Sequence, residues 1–283
     1  MHSGEIPADL TAADAADSPT GPSGRRKIGR GEKRIIMKIS LITICWNSER
    51  TLSRSLKSVL EQTRRPDEYV FVDGGSTDRT LEILEEFKSK AEHSGMAVRI
   101  LPQERHENAA GIPDAWNQGI SDVTGDVIGM LNSDDWYEPT ALESVENVLD
   151  EHPKCDAVSC PTRFVNEYGR EEKVFYPKCL SVFLPFMMPL PHPGLFVKRT
   201  TYDAIGKYDV EYKISADYDW VWRFYRFGLK LAYVKDPQVN MELGGLANSN
   251  RDLARNETLK IASRHGAKRL ARVAWLLRKV TGR

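Results

Sequence analysis

The sequence predicts an α/β fold, with a mainly parallel sheet covered by helices, and two observations lead to this prediction. Short runs of β-branched and apolar residues alternate with segments whose apolar residues recur every three to four positions. The runs at 39–44, 68–72 and 126–131 each stop at a cluster of polar residues. Alternation of strands and helices implies parallel strands joined by right-handed crossovers. We therefore expect these polar clusters to share one edge of the sheet, where open α/β sheets bind ligands.

The first half of the chain supplies most of the predicted sheet. Asn47 or Ser48 is placed to cap the helix after the first strand. Gly74 and Gly75 follow the second strand and leave room for close approach of a ligand. In chain order, the prediction comprises a strand at 39–44, a helix with Leu52, Leu56, Val59 and Leu60 on one face, a strand at 68–72, a helix with Leu81, Leu84 and Phe87, a strand at 98–101, a helical stretch at 111–120 and a strand at 126–131.

The pattern loosens in the second half, where strands are shorter and turns more frequent. Prolines interrupt the stretch between 181 and 197, which excludes it as a membrane span. The predicted elements are a helix at 141–149, an extended segment at 157–164, a hairpin turn at 166–170 leading to 173–176, a strand at 192–197, a helix opening at Asp217, short strands at 231–234 and 239–241, and a helical remainder.

Composition bounds the domain organisation and the kind of partner. The 283 residues include 40 Lys plus Arg and 40 Asp plus Glu, so the balanced charge gives no indication of a nucleic-acid partner. Residues 1–36 contain few large apolar residues and show no periodicity, and we expect a disordered N-terminal extension. Residues 37–250 form the predicted folded domain, and residues 251–283 form basic, amphipathic C-terminal helices.

The cysteines and the absence of a signal sequence favour a cytoplasmic protein. Cys155 and Cys160 lie five residues apart without a second pair that would complete a zinc site. With no secretory signal, we expect Cys45, Cys155, Cys160 and Cys179 to be reduced. The predicted location is cytoplasmic, with peripheral contact to the inner face of the cell membrane as an open alternative.

The stretch after the central strand is the strongest candidate for a site. Asn132, Ser133, Asp134 and Asp135 place several side-chain oxygens at the carboxyl end of that strand. Divalent cations such as Mg²⁺ take oxygen ligands and keep positions open for substrate phosphates. The alternative is a turn that caps the following helix, since Asn, Ser and Asp are common N-cap residues. Asn47 and Asp73, at two other strand ends, would converge with Asp134 on one crevice.

Seven motifs together give a resemblance to a known family. In chain order they are SLITICWN, VFVDGGSTDRT, GIPDAWNQGI, TGDVIGMLNSDDW, HPGLFVKR, ISADYDWVWRF and GGLANSN. From about Met37 to Gly266 the chain resembles the inverting family 2 glycosyltransferases of GT-A fold, particularly bacterial enzymes of O-antigen, capsule and exopolysaccharide synthesis. The resemblance implies a Rossmann-like sheet and a metal-dependent enzyme that moves a sugar from a nucleotide-diphosphate sugar to a hydroxyl group.

The resemblance also implies roles for individual residues. Asp217 is the implied catalytic base at the start of a helix, and Mn²⁺ or Mg²⁺ is the implied cofactor. His192 and Trp220 are placed on the acceptor side. Metal ligation is implied for Asp134, Asn132 and Asp135, and binding of the nucleotide-sugar donor for Thr43, Trp46, Asn47, Asp73, Asn117, Asn132, Ser133 and Asp134.

Three departures from the family pattern bear on these roles. Asn132 stands where the family often has an acid, which removes a negative charge from the metal site. Asp73 is followed by Gly74 where a second acid is common, which leaves the donor base, in a UDP-, GDP- or dTDP-sugar, undetermined. Ala216 precedes Asp217 where the family often has Glu, which changes the surroundings of the base.

Several interpretations stay open at this level. Asp217 and Asp219 are both placed to act as base, or to favour the helix dipole from its first turn. Trp220 belongs to an aromatic helix face that is more typical of core packing than of sugar stacking. His192 is equally consistent with acceptor binding and with a structural role in a loop.

The acceptor and the C-terminal segment are also open. The last predicted helix, 267–280, carries Leu270 and Val273 on an apolar face amid basic residues. Such a helix either lies on an anionic membrane, as a lipid-linked glycan acceptor would favour, or packs on the folded domain. Two other functions compete with transfer to a glycan or lipid-linked acceptor: a sugar nucleotidyltransferase, and a non-catalytic subunit that binds nucleotide-sugars.

Overall fold

The computed structural model describes residues 37–104, 111–166, 168–178, 181–243 and 250–273, and the predicted disorder of residues 1–36 lies outside these ranges. The strands are β1 (Ile39–Cys45), β2 (Glu68–Asp73), β3 (Ala97–Pro102), β4 (Val127–Met130), β5 (Trp136–Tyr137), β6 (Ala157–Ser159), β7 (Thr162–Val165), β8 (Glu171–Phe175), β9 (Leu195–Lys198), β10 (Leu231–Tyr233) and β11 (Val239–Glu242). The helices are α1 (Leu52–Leu60), α2 (Thr80–Glu92), α3 (Ile112–Asp122), α4 (Ala141–Glu151), α5 (Arg199–Ile205), α6 (Ala216–Arg226) and α7 (Arg251–Arg264).

Seven strands form the main sheet, in the order β10-β6-β9-β4-β1-β2-β3. β1 lies near its centre and pairs in parallel with both β2 and β4. β9 runs antiparallel to its two neighbours, β4 and β6. The mainly parallel sheet predicted from strand–helix alternation is therefore confirmed, with one reversed strand inserted beside the central one.

Both faces of this sheet are covered by helices, because successive side chains of a strand point to opposite faces. Leu41 of β1 packs in a core with α1, α2 and α4, which contribute Leu56, Leu84 and Val145. Its neighbour Ile42 packs in the opposite core, which contains the aromatic face of α6. The apolar faces of the helices thus pack against the two opposite faces of one sheet.

Gly129 allows the central strand to approach its reversed neighbour. A Cβ atom at this position would lie 2.6 Å from the Phe196 ring of β9 and 2.9 Å from Leu41 Cδ2. Phe196 is fully buried and has no free space to withdraw into. The absence of a side chain at Gly129 therefore positions β4, and with it the polar loop that follows.

Four shorter strands form a second sheet, in the order β5-β11-β7-β8. β7 and β8 are the antiparallel hairpin expected around 166–170, and β11 pairs in parallel with β7. The sequence predicts several of these strands but not their association, and it does not predict the two-residue β5. The second sheet supplies a wall of the cavity described below.

The C-terminal segment packs on the domain through α7, and a further helix begins at Lys268. In that helix Ala271 is buried, whereas Leu270 and Val273 are each about half exposed. The rest of the predicted helix, 274–280, lies outside the described residues. Within the described part of the chain, we find no helix whose length and apolar character would let it cross a bilayer.

Candidate active site

A cavity of about 870 Å³ opens at the carboxyl ends of β1, β2 and β4. Its walls also include the second sheet, the turn before β9 and the start of α6. Of the predicted site residues, it brings together Trp46, Asn132, Ser133, Asp134, His192 and Asp217. This volume lies within the range of ordinary small-molecule sites. The cavity lies at the strand ends where the polar clusters were expected, but of Asn47, Asp73 and Asp134, which were expected to converge, only Asp134 lines it.

The loop after β4 presents one carboxylate to this cavity and buries the next. Asp134 lines the cavity, and removal from water, together with nearby Glu242, raises its pKa. Asp135 is only 1% exposed, and Asn132 Nδ2 donates to its Oδ2 at 2.9 Å. Burial and the charge of Asp134 raise the pKa of Asp135 well above its ordinary value. Two adjacent acids in the sequence therefore occupy different environments.

An arginine from α1 holds the same loop against the second sheet. Arg54 Nη2 donates to the main-chain carbonyl of Asp134 at 3.0 Å and to Glu242 Oε2 at 2.5 Å. Its guanidinium also lies 3.8 Å above the Trp136 ring. Glu242, on β11, lines the cavity and has its pKa lowered mainly by hydrogen bonds from Arg54 and Arg50, against the opposing effect of burial. Neither Arg54 nor Glu242 was identified from the sequence.

Asp73 stabilises the turn after β2. It is buried, and its Oδ2 accepts the backbone N–H groups of Gly75 and Ser76 at 2.9 Å each, while Oδ1 accepts the Ser76 hydroxyl. Gly75 has a φ of +86°, a left-handed conformation that favours glycine. The neighbouring Gly74 lines the cavity although Asp73 does not. Asp73 thus shapes this end of the cavity through the turn that it holds.

Asn47 is fixed by the same turn and does not itself line the cavity. Its Oδ1 accepts the backbone N–H of Thr77 at 2.8 Å, and its own N–H donates to the Ser76 hydroxyl. Asn47 has a positive φ of 49°, which asparagine tolerates better than most residues. Its neighbour Trp46 lines the cavity and is 66% exposed, so its ring is free to contact a ligand.

Besides Asn47, Asp73 and Asp135, three more of the predicted site residues do not line the cavity. Thr43 is buried, and its hydroxyl lies 2.7 Å from that of Tyr69 and 2.5 Å from the Leu131 carbonyl. Both ends of the Asn117 amide are bonded to the main chain of Tyr208. Trp220 is 1% exposed and donates its indole N–H to the Gly206 carbonyl. Burial of Trp220 in the core does not support the acceptor-side role expected of it.

Asp217 lies at the start of α6 and lines the cavity. Its Oδ1 accepts the backbone N–H of Tyr218 at 2.7 Å. Removal from water raises the pKa of Asp217 to about 6, and Glu257 contributes in the same direction. Asp219 is buried instead and faces Arg223 and His265 at 2.9 and 3.1 Å. Of the two acids that the residues alone left open, Asp217, which the resemblance favours, lines the cavity and Asp219 does not.

His192 lines the cavity between aromatic residues. Its ring stacks on Trp116 with centroids 4.1 Å apart, and its Nε2 lies 3.3 Å from the Tyr208 hydroxyl. Burial lowers the pKa of His192 to about 4, so the ring is neutral at physiological pH. A neutral imidazole offers one donor and one acceptor, which suits contact with hydroxyl groups.

The wall formed by the second sheet and the preceding loop is largely apolar. Phe164 and Phe175 come from the β7–β8 hairpin, and Met188 and Leu190 come from the loop before β9. Lys173 Nζ lies 4.6 Å above the Phe164 ring and also lines the cavity. Sequence reasoning missed this wall, because aromatic and aliphatic residues on short strands are equally typical of a core.

The acid loop fits a divalent cation that also binds a phosphorylated ligand. Asp135 Oδ1 is buried without a hydrogen-bond partner, and both acids of the loop have raised pKa values that a cation would lower again. Across the described ranges, no three or more His, Cys, Asp or Glu side chains gather closely enough to hold an ion by themselves. Further ligands would therefore be phosphate oxygens and water, as is usual for Mg²⁺.

The three cysteines that the structure describes, Cys45, Cys155 and Cys160, are free and buried. Cys45 lines the cavity, and burial raises the pKa of its thiol, so it is not a reactive thiolate. Cys179 lies outside the described residues.

Comparison with known proteins identifies the family to which this α/β fold and its acid-lined cavity belong. The family model "Glycosyl transferase family 2" matches residues 40–206. A PGL/p-HBAD biosynthesis glycosyltransferase of Mycobacterium bovis (strain BCG / Pasteur 1173P2) is 30% identical over 230 residues, which cover 80% of this chain and 86% of that protein. The chain belongs to glycosyl transferase family 2, and it is a glycosyltransferase.

Two solved structures share the fold. S. aureus TarS 1–349 in complex with UDP-GlcNAc aligns with a TM-score of 0.64 at 20% identity, covering 82% of this chain and 66% of that one. The mannosyltransferase PcManGT from Pyrobaculum calidifontis, in complex with GDP-Man and Mn²⁺, aligns with a TM-score of 0.60 at 16% identity, covering 87% and 76%. The GT-A fold implied by the sequence motifs is therefore confirmed.

Proposed function

We propose that this enzyme transfers a sugar from a nucleotide-diphosphate sugar to a hydroxyl group, with a divalent cation and with inversion at the anomeric carbon. The observation that carries the proposal is that one cavity is lined both by Asp134, beside a strand end, and by Asp217, at a helix start. The Asp134 carboxylate is suited to bind a metal–diphosphate group, and the Asp217 carboxylate is suited to act as a proton acceptor. Inversion follows when the acceptor attacks opposite the leaving diphosphate in a single displacement.

The donor would occupy the end of the cavity formed by the ends of β1, β2 and β4. Trp46 offers an exposed ring, and Gly74 leaves the wall without a side chain at that end. Ser133 lines the same region, next to Ser48, whose hydroxyl donates to it at 2.9 Å. The solved complexes of TarS with UDP-GlcNAc and of PcManGT with GDP-Man support a nucleotide-sugar donor but differ in base and sugar.

The acid loop would hold the metal ion and, through it, the diphosphate. Asp134 is the principal ligand in this proposal, and Asn132 and Asp135 support it from behind. When bound, Mn²⁺ or Mg²⁺ stabilises the negative charge that develops on the leaving diphosphate. Arg54 holds the main chain of Asp134 and so fixes the direction of its carboxylate.

Asp217 would remove the proton from the acceptor hydroxyl. Its pKa of about 6 leaves it ionised at neutral pH and still basic enough to accept a proton. A base in this position typically contributes roughly 10²–10⁴-fold to the rate. His192, which is neutral and lines the same cavity, would orient the acceptor through a hydrogen bond.

The acceptor would lie against the apolar wall formed by the second sheet. Phe164 and Phe175 offer aromatic faces to a sugar ring or to an apolar group attached to it. A glycan or lipid-linked glycan acceptor in cell-surface polysaccharide synthesis is consistent with such a wall. The half-exposed Leu270 and Val273 at the C-terminus would add contact with an anionic membrane surface.

A thermal-shift experiment with nucleotide-sugars tests the donor and metal parts of this proposal. We expect one class among UDP-, GDP- and dTDP-sugars to raise the Tm by several degrees in the presence of Mn²⁺, and EDTA to remove the effect. Asp134→Ala is expected to abolish the metal-dependent stabilisation, whereas Glu151→Gln, an exposed acid on α4, serves as the matched control. Metal-dependent stabilisation of the Asp134→Ala variant equal to that of the wild type would contradict the role of Asp134.

Product analysis with an acceptor distinguishes the competing functions. Release of a nucleoside diphosphate that depends on both metal and acceptor is expected for a transferase. Release of pyrophosphate would instead indicate a sugar nucleotidyltransferase, and donor binding without turnover across acceptors would indicate a binding subunit.

A further inference from the structure

Glu257, on helix α7, joins the C-terminal segment to the candidate base. Its side chain is only 8% exposed although it is charged. Glu257 Oε1 accepts the backbone N–H of Lys213 at 2.8 Å, and Oε2 accepts those of Ile214 and Ser215 at 2.9 Å each. Buried carboxylates are rare unless they are paired or fully hydrogen-bonded, so three main-chain donors explain why this one is tolerated.

The segment held by Glu257 leads directly into Asp217. Ser215 is the N-cap residue of α6, but its side chain does not cap that helix. Its hydroxyl instead donates to the Ala254 carbonyl of α7 at 3.3 Å. Ile214, like Asp217, lines the cavity. The position of the base therefore depends on α7 through the main chain of 213–215.

A second contact fixes the same two helices further along. His265, at the end of α7, lies 3.1 Å from Asp219 Oδ1, and its ring stacks parallel to Trp222 of α6 with centroids 5.2 Å apart. α7 thus contacts the segment 213–215 before Asp217 and the residues Asp219 and Trp222 after it. Rotation of α7 away from α6 would break contacts at both places.

We propose that Glu257 is a positioning residue for the transfer reaction, which holds 213–215 so that the Asp217 carboxylate faces the acceptor hydroxyl. This inference rests on the proposed function of Asp217 as base. Glu257, like Asp217 itself, lies beyond residues 40–206, to which the family model extends, so this pairing of α6 with α7 belongs to the part of the chain outside the matched region. The C-terminal segment then has a catalytic purpose that does not require a membrane.

The charge of Glu257 also acts on Asp217. A nearby negative charge favours the protonated form of Asp217, in the same direction as burial. The buried hydroxyl of Tyr208 lies near the base. The other described titratable groups that line the same cavity are Cys45, Asp134, Lys173, His192 and Glu242. Burial keeps Tyr208 protonated and His192 neutral between pH 5 and 8, so neither contributes an acid limb near pH 6.

Kinetics of the Glu257→Gln variant test the proposal. The amide nitrogen of Gln cannot accept the N–H bonds that Glu257 accepts, and its charge is lost. At saturating Mn²⁺ we expect kcat to fall by about 10–100-fold, because small displacements of a catalytic group have effects of this size. We expect donor affinity to change less than about twofold, and the acid limb of the pH–rate profile to move below that of the wild type.

Two further variants serve as controls. Asp252→Asn removes an exposed acid from the same helix and is expected to leave kcat and the pH profile unchanged. Glu257→Asp keeps the charge but shortens the side chain, so we expect a reduced kcat with the acid limb at its wild-type position. If Glu257→Gln does not fold, as judged by circular dichroism, Glu257→Asp decides alone, and a wild-type kcat in that variant would overturn the proposal.

The outcomes separate this inference from the proposed function. Wild-type kcat in a folded Glu257→Gln variant would overturn the positioning role, and so would equal losses of kcat and donor affinity with an unmoved acid limb. If Asp217→Asn retains turnover, the proposed base itself is wrong, whatever the Glu257 variants show. Loss of turnover in Asp217→Asn together with a wild-type kcat in Glu257→Gln would overturn the positioning role of Glu257 and leave the proposed function intact.

Discussion

Asn132 Nδ2 donates a hydrogen bond to Asp135 Oδ2 at 2.9 Å, and this bond separates the two acids of the loop. It holds the Asp135 carboxylate inside the protein, where only 1% of the residue is exposed, while Asp134 lines the cavity. The residue that replaces the family's frequent acid is therefore a donor to its neighbour. An acid at position 132 would be unable to make this bond when ionised.

The first prediction concerns the substitution Asn132→Asp, which restores the residue type common in the family. We expect it to lower the free energy of unfolding by about 1–3 kcal/mol, because Asp135 loses the Asn132 donor and gains a like charge beside it. Tm and denaturant unfolding at pH 7.5 measure this effect. Asn132→Ser is the comparison that removes the amide without adding charge. An Asn132→Asp protein as stable as the wild type would show that Asp135 does not depend on this donor.

A second prediction concerns Asp217→Asn, which separates a catalytic acid from a structural one. We expect kcat to fall by roughly 10²–10⁴-fold, because the amide cannot accept the proton, with donor binding retained. Steady-state kinetics and calorimetric titration of the donor measure the two effects. Asp203→Asn, which removes an exposed acid on α5, is the matched control. Near-normal turnover of Asp217→Asn would remove Asp217 from this role.

The same variant is expected to be more stable than the wild type at alkaline pH. Burial raises the pKa of Asp217 to about 6 in the folded protein, whereas an unfolded aspartate has a pKa of about 3.9. The ionised carboxylate therefore destabilises the fold. This destabilisation is complete above pH 6, decreases between pH 6 and pH 4, and is absent below pH 4. Asparagine removes this penalty, of roughly 1–3 kcal/mol, so Tm should rise at pH 8 and stay unchanged at pH 4. A lower Tm at pH 8 would instead identify Asp217 as a capping residue.

A third prediction follows from the protonation state that the base requires. Only ionised Asp217 accepts a proton, so log kcat/KM should increase with pH up to a limb near pH 6 and stay level above it. Initial rates from pH 5 to 8, at saturating Mn²⁺, measure this profile. His192 has a pKa lowered to about 4, so His192→Gln is expected to leave the limb in place even if it raises the acceptor KM. A limb that disappears in His192→Gln would contradict the assignment to Asp217.

A fourth prediction concerns Gly129→Ala, which tests how the central strand is positioned. The added methyl group would overlap Phe196 and Leu41, both fully buried. We expect a loss of stability of about 1–3 kcal/mol, which is typical of overpacked cores. Gly95→Ala, at a glycine with free space but with φ of +85°, is a control for backbone strain without a clash. Equal Tm values for Gly129→Ala and wild type would show that β4 and β9 adjust freely.

The sequence predicts the main sheet well, because its evidence is local. Strands near 39–44 and 68–72 are apolar and β-branched, and the polar residues after them mark their ends to within one residue of the structure. For Asp134 and Asp217, each at the junction of an apolar element with a turn or a helix start, periodicity and capping rules leave a capping role open. Their selection as site residues came from the family resemblance, and the structure shows that both line one cavity.

The remainder depends on contacts that no local pattern carries. Arg54 and Glu242 are separated by 188 residues, and Glu257 is separated by 42 from Ser215. Thr43 and Asn117 are polar, as expected of site residues, but their polar groups form hydrogen bonds with distant residues of the fold, Tyr69 and Tyr208. The second sheet escaped prediction because short strands become a sheet only when distant segments pair.

The β7–β8 hairpin forms part of the cavity from the edge of the smaller sheet, whereas the acid loop follows a central strand of the larger one. Edge hairpins accept changes in length and composition more readily than central strands do. Under the proposed function this hairpin contacts the acceptor, so a change in its length or composition would alter the choice of acceptor and leave the acid loop in place.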